Sequence, residues 1–321
     1  MKISVIITSY NQKNYLREAI ESVLEQTLLP YEIIIVDDCS SDSSQDMVLD
    51  YARRYPGLIR AFCHKKGLGI PKNRNFALER VKGDLVCSLD GDDRFLPDKL
   101  RRELETMQQH PEAMLVFSNV YFIDEEGQRL ALWAETSPPP TGYVFKEAFC
   151  RHWPKGSLYR NELVNINALK QIGFYDEDLD IYEDWDLKIR FTSRFKVAYC
   201  AVPLAEYRQH PKGISRRSSM ELHLNTMKRI YEKNYYLLGE LLARDREEVE
   251  KILSSKFRLL KASAAVERGQ RGEALREYVR YVIENLFRPG EWMALLKFLL
   301  ASGASRSASS IIARIRKSNS S

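Results

Sequence analysis

The segment LDGDDRFLP, Leu89 to Pro97, ends an apolar run with Asp90, Asp92 and Asp93 packed into four positions. Adjacent ionised carboxylates in a partly buried crevice disfavour one another, and a divalent cation removes that penalty while leaving positions open for substrate oxygens. Oxygen-only ligation favours Mg2+ or Mn2+ over zinc. Asp92, the last acid of Asp90-Gly91-Asp92, is the best metal ligand, because Gly91 allows a close approach of backbone and phosphate; Asp93 is the alternative, supporting the ligands from behind rather than touching the metal. The competing reading is an acidic turn before a helix, with Pro97 in the first helical turn. In YEDWDLKIRF, Glu183, Asp184 and Asp186 fall where a helix begins. Capping explains one of these acids, and Asp186 suits it best. A helix N-terminus favours an ionised carboxylate, the state a general base needs before it accepts a proton.

These groups must be delivered by regular elements. KISVIITSYNQ, Lys2 to Gln12, is an apolar run breaking into polar residues, and EIIIVDDCSSD, Glu32 to Asp42, is a second one ending at Asp37 and Asp38. Tyr15, Ala19, Ile20, Val23 and Leu24 recur between them at helical spacing, which makes a β-α-β unit. A helix over 43–54, a strand over 58–63, a helix over 72–81 and a strand over 85–89 continue the alternation. The expected fold class is α/β, a mostly parallel sheet with helices on both faces. Ligands in such sheets bind outside the carboxyl ends of the strands, at a topological switch point. There Tyr10 can stack on a base and Asp38 can accept its N–H, whereas Asp37 reads as a local cap. Pro97 opens a further helix, and a strand over 113–117 closes the nucleotide half. AETSPPPTG, Ala134 to Gly142, is a loop, read as a connection rather than a lip over the site.

With 321 residues and 44% hydrophobic content, the chain supports one large domain and an appendage. From Met220 onward helix-compatible segments dominate, and KASAAVERGQRGEALREYVRYVIENLFRP has the turn placement of a single tetratricopeptide-like hairpin. Five scattered cysteines suit neither a disulfide framework nor a zinc site, so a reducing, cytoplasmic setting is expected. The first strand starts almost at Met1 without the n-region, h-region and cleavage site of a signal peptide ahead of it, so secretion is not expected, and the best apolar run, Trp292 to Ala301, is too short to span a bilayer and contains Lys297. From Arg216 onward 21 Lys and Arg face 12 Asp and Glu, so the net +5 resides in a basic tail. Without interleaved aromatics or a nucleic-acid motif, nucleic acid is excluded as a partner. Ser305 to Lys317 mixes Ile311, Ile312 and Ile315 with Arg306, Arg314, Arg316 and Lys317, a pattern that suits either contact with an anionic membrane surface or a solvated terminus.

VIITSYNQ, IIIVDDCSSD, NRNFALERVKGDLVCSLDGDD and YEDWDLKIR, in this order and followed by YRQHPKGISR, resemble the motifs of family 2 inverting glycosyltransferases with the GT-A fold. The resemblance runs from about Lys2 to Arg217. It implies a GT-A domain over 1–217, with a nucleotide half of about 1–117 and an acceptor half of about 118–217, and a helical region over 218–321. It also implies that Thr8, Tyr10, Asp38 and Arg74 contact the nucleoside, and that Asp90 lies near the ribose and metal. His210 would complete metal or diphosphate binding beside Asp92, with Arg208, Lys212 and Ser215 as weaker diphosphate candidates. Asp184 is the implied base and Glu183 steadies its loop, while Trp185 packs rather than lining an acceptor pocket.

Two departures stand out: Pro71-Lys72-Asn73 replaces the usual small residues before Arg74-Asn75, and Cys39 stands where glycine is common. The implied activity is Mn2+- or Mg2+-dependent transfer of a sugar from a UDP or dTDP donor to a glycan or lipid-linked acceptor in cell-surface polysaccharide synthesis. The C-terminal helices are candidates for packing against the catalytic domain or against a second subunit. A nucleotidyltransferase, the enzymatic rival, needs an early glycine-rich phosphate loop, and Ser9 to Asn14 holds no glycine. A noncatalytic scaffold is the other rival, and the joint presence of Asp38, Asp90, Asp92 and Asp184 argues against it.

Overall fold

The computed structural model describes residues 1–209 and 218–285. His210, Lys212, Ser215 and the Ser305 to Lys317 stretch lie outside the described residues. The chain divides into two compact units, Met1–Arg216 and Arg217–Ser321.

In the first unit β1 (Ile3–Ser9), α1 (Lys13–Leu24), β2 (Glu32–Asp37), α2 (Ser44–Arg54), β3 (Ile59–Cys63), α3 (Ile70–Leu78) and β4 (Leu85–Asp90) follow the expected alternation. There follow β5 (Arg94–Phe95), α4 (Lys99–Gln109), β6 (Ala113–Ile123), β7 (Arg129–Leu132), α5 (Phe145–Cys150), β8 (Leu163–Asn165), α6 (Ile166–Ile172), α7 (Glu183–Thr192) and β9 (Lys196–Arg208). All six residues of β2 are buried, so both faces of the sheet are covered there. That continuous burial is why an unbroken β-branched run, rather than an alternating one, marks the strand.

The strand order is β3-β2-β1-β4-β8-β6-β9-β5, with β7 paired to β6. From β3 to β4 neighbouring strands are parallel. The sheet as a whole is mixed, because β8 runs antiparallel to both β4 and β6, β5 antiparallel to β9, and β7 antiparallel to β6. These added strands are two to four residues long, too short to show a period in sequence. β6 also continues six residues past Phe117, running parallel to β9 as far as Ile123.

β1 lies between β2 and β4, so the chain reverses direction across the sheet at β1, and the switch point falls between the ends of β1 and β4. Thr8 pairs there with Asp90 on one side and Val36 on the other.

In the second unit α8 (Met220–Asn234), a 3-10 turn (Tyr235–Glu240), α9 (Ala243–Glu267) and α10 (Arg271–Glu284) follow one another. The Ser219 hydroxyl caps α8 by accepting from Leu222 N at 3.2 Å. The α9–α10 turn passes through Gly269 at φ 73, and Ala262, Tyr278, Tyr281 and Val282 form the core of this one hairpin. No helix among the described residues is long and apolar enough to cross a membrane, and all five cysteines are free thiols.

Beneath the sheet Lys99 and Glu103, both fully buried, pair at 2.5 Å one helical turn apart on α4. Removing one partner leaves an uncompensated buried charge. Lys99→Met should therefore destabilise the protein by about 3–5 kcal/mol, and adding Glu103→Leu should restore most of the loss. Denaturant midpoints of the two variants check this, and equal midpoints would show that the pair is not coupled.

Candidate active site

Arg74 projects from α3 into the crevice at the ends of β1 and β4. One terminal nitrogen donates to Asp90 Oδ1 and the other to Glu183 Oε1, both at 2.6 Å. The guanidinium also lies over the Tyr175 ring at 5.4 Å. Burial works against its charge, but Asp90, Tyr175 and Glu183 hold its pKa well above the ordinary value. Asn75 completes the clamp: its side chain donates to Tyr175 O at 2.9 Å and accepts from Tyr175 N at 3.0 Å. Arg74 and Asn75 thereby fasten the segment leading into α7 onto the parallel strands.

The β1 and β2 ends are organised by their own polar groups. Asp37 accepts from Ser40 N and Ser40 Oγ, closing a turn as a local capping group does. Asp38 accepts from Leu68 N at 2.7 Å and Gly69 N at 2.9 Å, so each of its oxygens already holds one backbone donor of the loop before α3. A base N–H would use a remaining lone pair. Tyr10 is 58% exposed, which leaves its ring open for stacking. Thr8 offers its carbonyl to Gly91 N at 2.9 Å.

The β4 turn shows what Gly91 does. A Cβ built there would come within 3.0 Å of Thr8 O and of Ser9 Cβ, so the close approach that needs glycine is to the end of β1. Asp92 accepts from Gln12 Nε2 at 3.0 Å. Asp93 is buried, accepting from Arg208 N at 2.9 Å and Asn161 Nδ2 at 3.3 Å, and burial together with Asp92 and Asp90 pushes its carboxyl well up. It is an internal brace behind Asp90 and Asp92. Arg208, read from sequence as a diphosphate candidate, is also buried. It donates to Asp92 O, Asp124 O, Glu125 O and Glu18 Oε2, so its donors are committed within the protein.

Among the described residues no group of three or more His, Cys, Asp and Glu could hold a metal ion by itself. Asp90 and Asp92 at one turn do fit a hard cation that takes its remaining ligands from phosphate oxygens and water, the usual coordination of Mg2+.

α7 begins at Tyr182, a left-handed residue at φ 63 with no side-chain cap. Asp186 does not cap the helix. It is fully buried and accepts from Arg190 Nε at 2.8 Å, and Arg190 in turn donates to the carbonyls of Ile172, Gly173 and Phe174. Trp185 is fully buried with its Nε1 donating to Ala148 O, which makes it a packing residue. Asp184 is the partly exposed acid of the turn. Burial, the largest influence on it, raises its carboxyl, but Lys188, Arg160, Arg151 and Arg74 together outweigh burial and hold it at about 2. Lys188 Nζ stands 3.7 Å from Asp184 Oδ2 and 3.6 Å from Glu162 Oε1. Glu183 is moved the other way, raised by burial and by Asp184 against the pull of Arg74.

Sequence reasoning missed Lys188, Glu162, Arg160 and Arg151 as members of this site. Only Lys188 carried a signal, the i,i+4 spacing from Asp184 that places both on one helix face. His210 lies outside the described residues.

A parallel α/β sheet extended by antiparallel strands, with paired acids at its switch point and an ionised carboxylate at a facing helix start, defines the GT-A class of nucleotide-sugar fold. Residues 4–164, half of the chain, match the family described as glycosyl transferase family 2. The chain belongs to glycosyltransferase family 2. An uncharacterized glycosyltransferase of Bacillus subtilis strain 168, YwdF, is 33% identical over 202 residues, covering 61% of this chain and 70% of YwdF. The putative teichuronic acid biosynthesis glycosyltransferase TuaG of the same organism is 39% identical over 107 residues, 33% of this chain and 42% of TuaG. An uncharacterized Mycobacterium tuberculosis protein, Rv1520, is 28% identical over 218 residues; the match covers 66% of this chain and spans 60% of that relative's length. Among solved structures, Staphylococcus aureus TarS 1-349 superposes with a TM-score of 0.61 at 16% identity, over 90% of this chain and 93% of that one. TarS 1-349 in complex with UDP-GlcNAc gives 0.59 at 15% identity, with the same coverage.

The bridging role of Arg74 makes it poorly replaceable by lysine, whose compact ammonium lacks the planar fork of donors that reaches two carboxylates at once. Arg74→Lys should cost about 1–3 kcal/mol and Arg74→Met more, since each leaves a charged acceptor unsatisfied. Adding Glu183→Gln to Arg74→Met should recover part of the loss in a thermal melt; no recovery would mean that the Glu183 contact carries no weight.

Proposed function

We propose that this protein is a divalent-metal-dependent, inverting glycosyltransferase that moves a sugar from a nucleoside diphosphate donor to a hydroxyl of a glycan or lipid-linked acceptor, in the synthesis of cell-surface polysaccharide. The observation that carries the reading is the Arg74 bridge, which joins Asp90 of the nucleotide crevice to Glu183, the neighbour of the ionised Asp184. One guanidinium thus ties the donor acids to the candidate base. The TuaG resemblance supports a polysaccharide product. The TarS complex with UDP-GlcNAc supports a uridine nucleotide, with thymidine as the second choice.

In this reading Tyr10 stacks on the base, Thr8 and Asp38 border the nucleoside, and Asp90 lies by the ribose. Family 2 enzymes generally work with a divalent cation. Mn2+ or Mg2+ would be held by Asp92 with Asp90, His210 being the further candidate, and would supply Lewis-acid stabilisation of the departing diphosphate. Asp184 accepts the proton of the acceptor hydroxyl as that oxygen attacks the anomeric carbon opposite the leaving group, which inverts the configuration. Arg74 holds the α7 start in place while this happens.

The reading is tested first with Asp92→Asn, a near-isostere without the charge that holds the cation. It should stay folded and lose Mn2+-dependent donor binding in calorimetry; unchanged Mn2+ and donor affinity would refute the metal assignment. Asp184→Asn should retain donor affinity and lose about 10²-fold or more in transfer rate, the usual size of general-base catalysis. Survival of turnover within a few-fold would move the base to another group.

A third expectation concerns pH. With its carboxyl at about 2, Asp184 is ionised throughout the assay range and should contribute no acid limb to kcat/KM above about pH 4. Lys188→Met removes the nearest lowering charge, so the carboxyl should rise and an acid limb should move toward neutral pH. Superimposable profiles of the two proteins would show that Lys188 does not tune the base.

A further inference from the structure

Two of the cations that hold the Asp184 carboxyl down, Arg151 and Arg160, make no bond in the chemistry above. Arg151 closes α5 in a left-handed conformation at φ 51, and its guanidinium lies 4.5 Å from the centre of the Tyr182 ring and 5.6 Å from that of Trp185. Arg160 lies over the Tyr207 ring at 4.2 Å, with a buried Nε that has no hydrogen-bond partner. Among the described residues neither guanidinium forms a side-chain hydrogen bond or an ion pair. Arg74 and Arg208 in the same unit are, by contrast, each hydrogen-bonded to carboxylate or carbonyl oxygens. An arginine offers five donors; both residues are half-buried, and the buried Arg160 Nε–H is costly to leave unanswered unless a ligand supplies an acceptor. Stacking on aromatic faces fixes the plane of each guanidinium without consuming a donor.

Asp184 has Lys188 at 3.7 Å, a charge shared with Glu162 at 3.6 Å, so Arg151 and Arg160 add to the field at Asp184 without pairing with it. The segment that carries both arginines is strained, with Arg151, Lys155 and Asn161 all left-handed at φ between 51 and 53. Such strain persists where a functional geometry is held by its surroundings. Arg151 stands on the α7 side, against Tyr182 and Trp185. Among charged groups Arg160 is influenced by Asp184 ahead of Asp93 and Asp90. Arg151 therefore belongs with the turn that carries the base, and Arg160 stands between that turn and the nucleotide acids.

We propose that Arg151 and Arg160 form an anion-binding site for the acceptor, so that the molecule glycosylated carries a phosphate or carboxylate close to its attacking hydroxyl. This rests on the glycosyltransferase reading. The guanidiniums would bind the anion through paired N–H donors, bringing the neighbouring hydroxyl to Asp184.

The test uses the full chain, its best nucleotide-sugar donor, and three acceptor probes of equal length: a hexuronate-containing oligosaccharide, a polyol-phosphate oligomer and a neutral oligosaccharide. One anionic probe should be favoured over the neutral one by about 10-fold or more in kcat/KM, and the preference should shrink as salt is raised. Which anionic probe wins separates carboxylate from phosphate. Arg151→Met and Arg160→Met should raise the KM for that probe by about 10- to 100-fold, with the donor KM held, and the Lys variants should recover part of it. Thermal midpoints of all four variants identify any that fail to fold, and the probe preference of the unaltered protein needs no variant. Equal use of neutral and anionic probes, or a change in donor KM instead of acceptor KM, would overturn the proposal while leaving the transferase reading intact. Absence of hydrolysis or transfer with every nucleotide sugar would overturn that reading, and this one with it.

Discussion

A single guanidinium has to satisfy two carboxylates that the fold brings from opposite sides of a crevice. Asp90 arrives at the end of a central strand, Glu183 at the start of a helix almost a hundred residues later, and Arg74 reaches both at 2.6 Å. Their mutual repulsion would open the crevice, and a neutral residue at 74 would leave both to be desolvated alone. Gly91 against Thr8, Asp93 against Arg208, and Asn75 against Tyr175 are further ties that narrow the same space. The positions of the candidate metal acids and of the candidate base are thus settled together.

The charge around Asp184 shows a compromise. Lys188, Arg160, Arg151 and Arg74 keep it ionised despite burial, yet a carboxylate held at about 2 is a weak proton acceptor. A base of this kind gains strength when an anionic ligand offsets the surrounding cations, because the same charges that lowered its pKa are then partly neutralised. In the proposed scheme the arrival of an anionic acceptor would both place the hydroxyl and restore basicity.

The parallel block was legible in sequence because its strands are buried on both faces and announce themselves as unbroken runs, as in Ile33 to Val36. The mixed character of the sheet was not, since β5 and β8 have two and three residues and are defined by partners distant in sequence. Motif resemblance placed Asp90, Asp92 and Asp184 at the same crevice but could not say which neighbouring charges face inward. Arg208 looked like a phosphate ligand and is a strut; Asp186 looked like a cap and is half of an i,i+4 pair with Arg190, a spacing that could have been read. Arg151 and Arg160 carry no local pattern, because their environment is built by Tyr182, Trp185 and Tyr207 from other parts of the chain.

The Arg208 strut has a consequence for how the molecule is made. Its main-chain N–H answers Asp93 from 115 residues away, and its side chain holds the Asp92 carbonyl across 116. Such long-range ties form late, because the chain between them must first be ordered. A growing polypeptide can complete the first strands and helices soon after they leave the ribosome, but the acidic turn stays unbraced until the last strand has been synthesised and docked. On the proposed reading, the fitness of this turn for a cation is acquired only after Arg208 has been made and docked, so the earlier strands alone would not engage one.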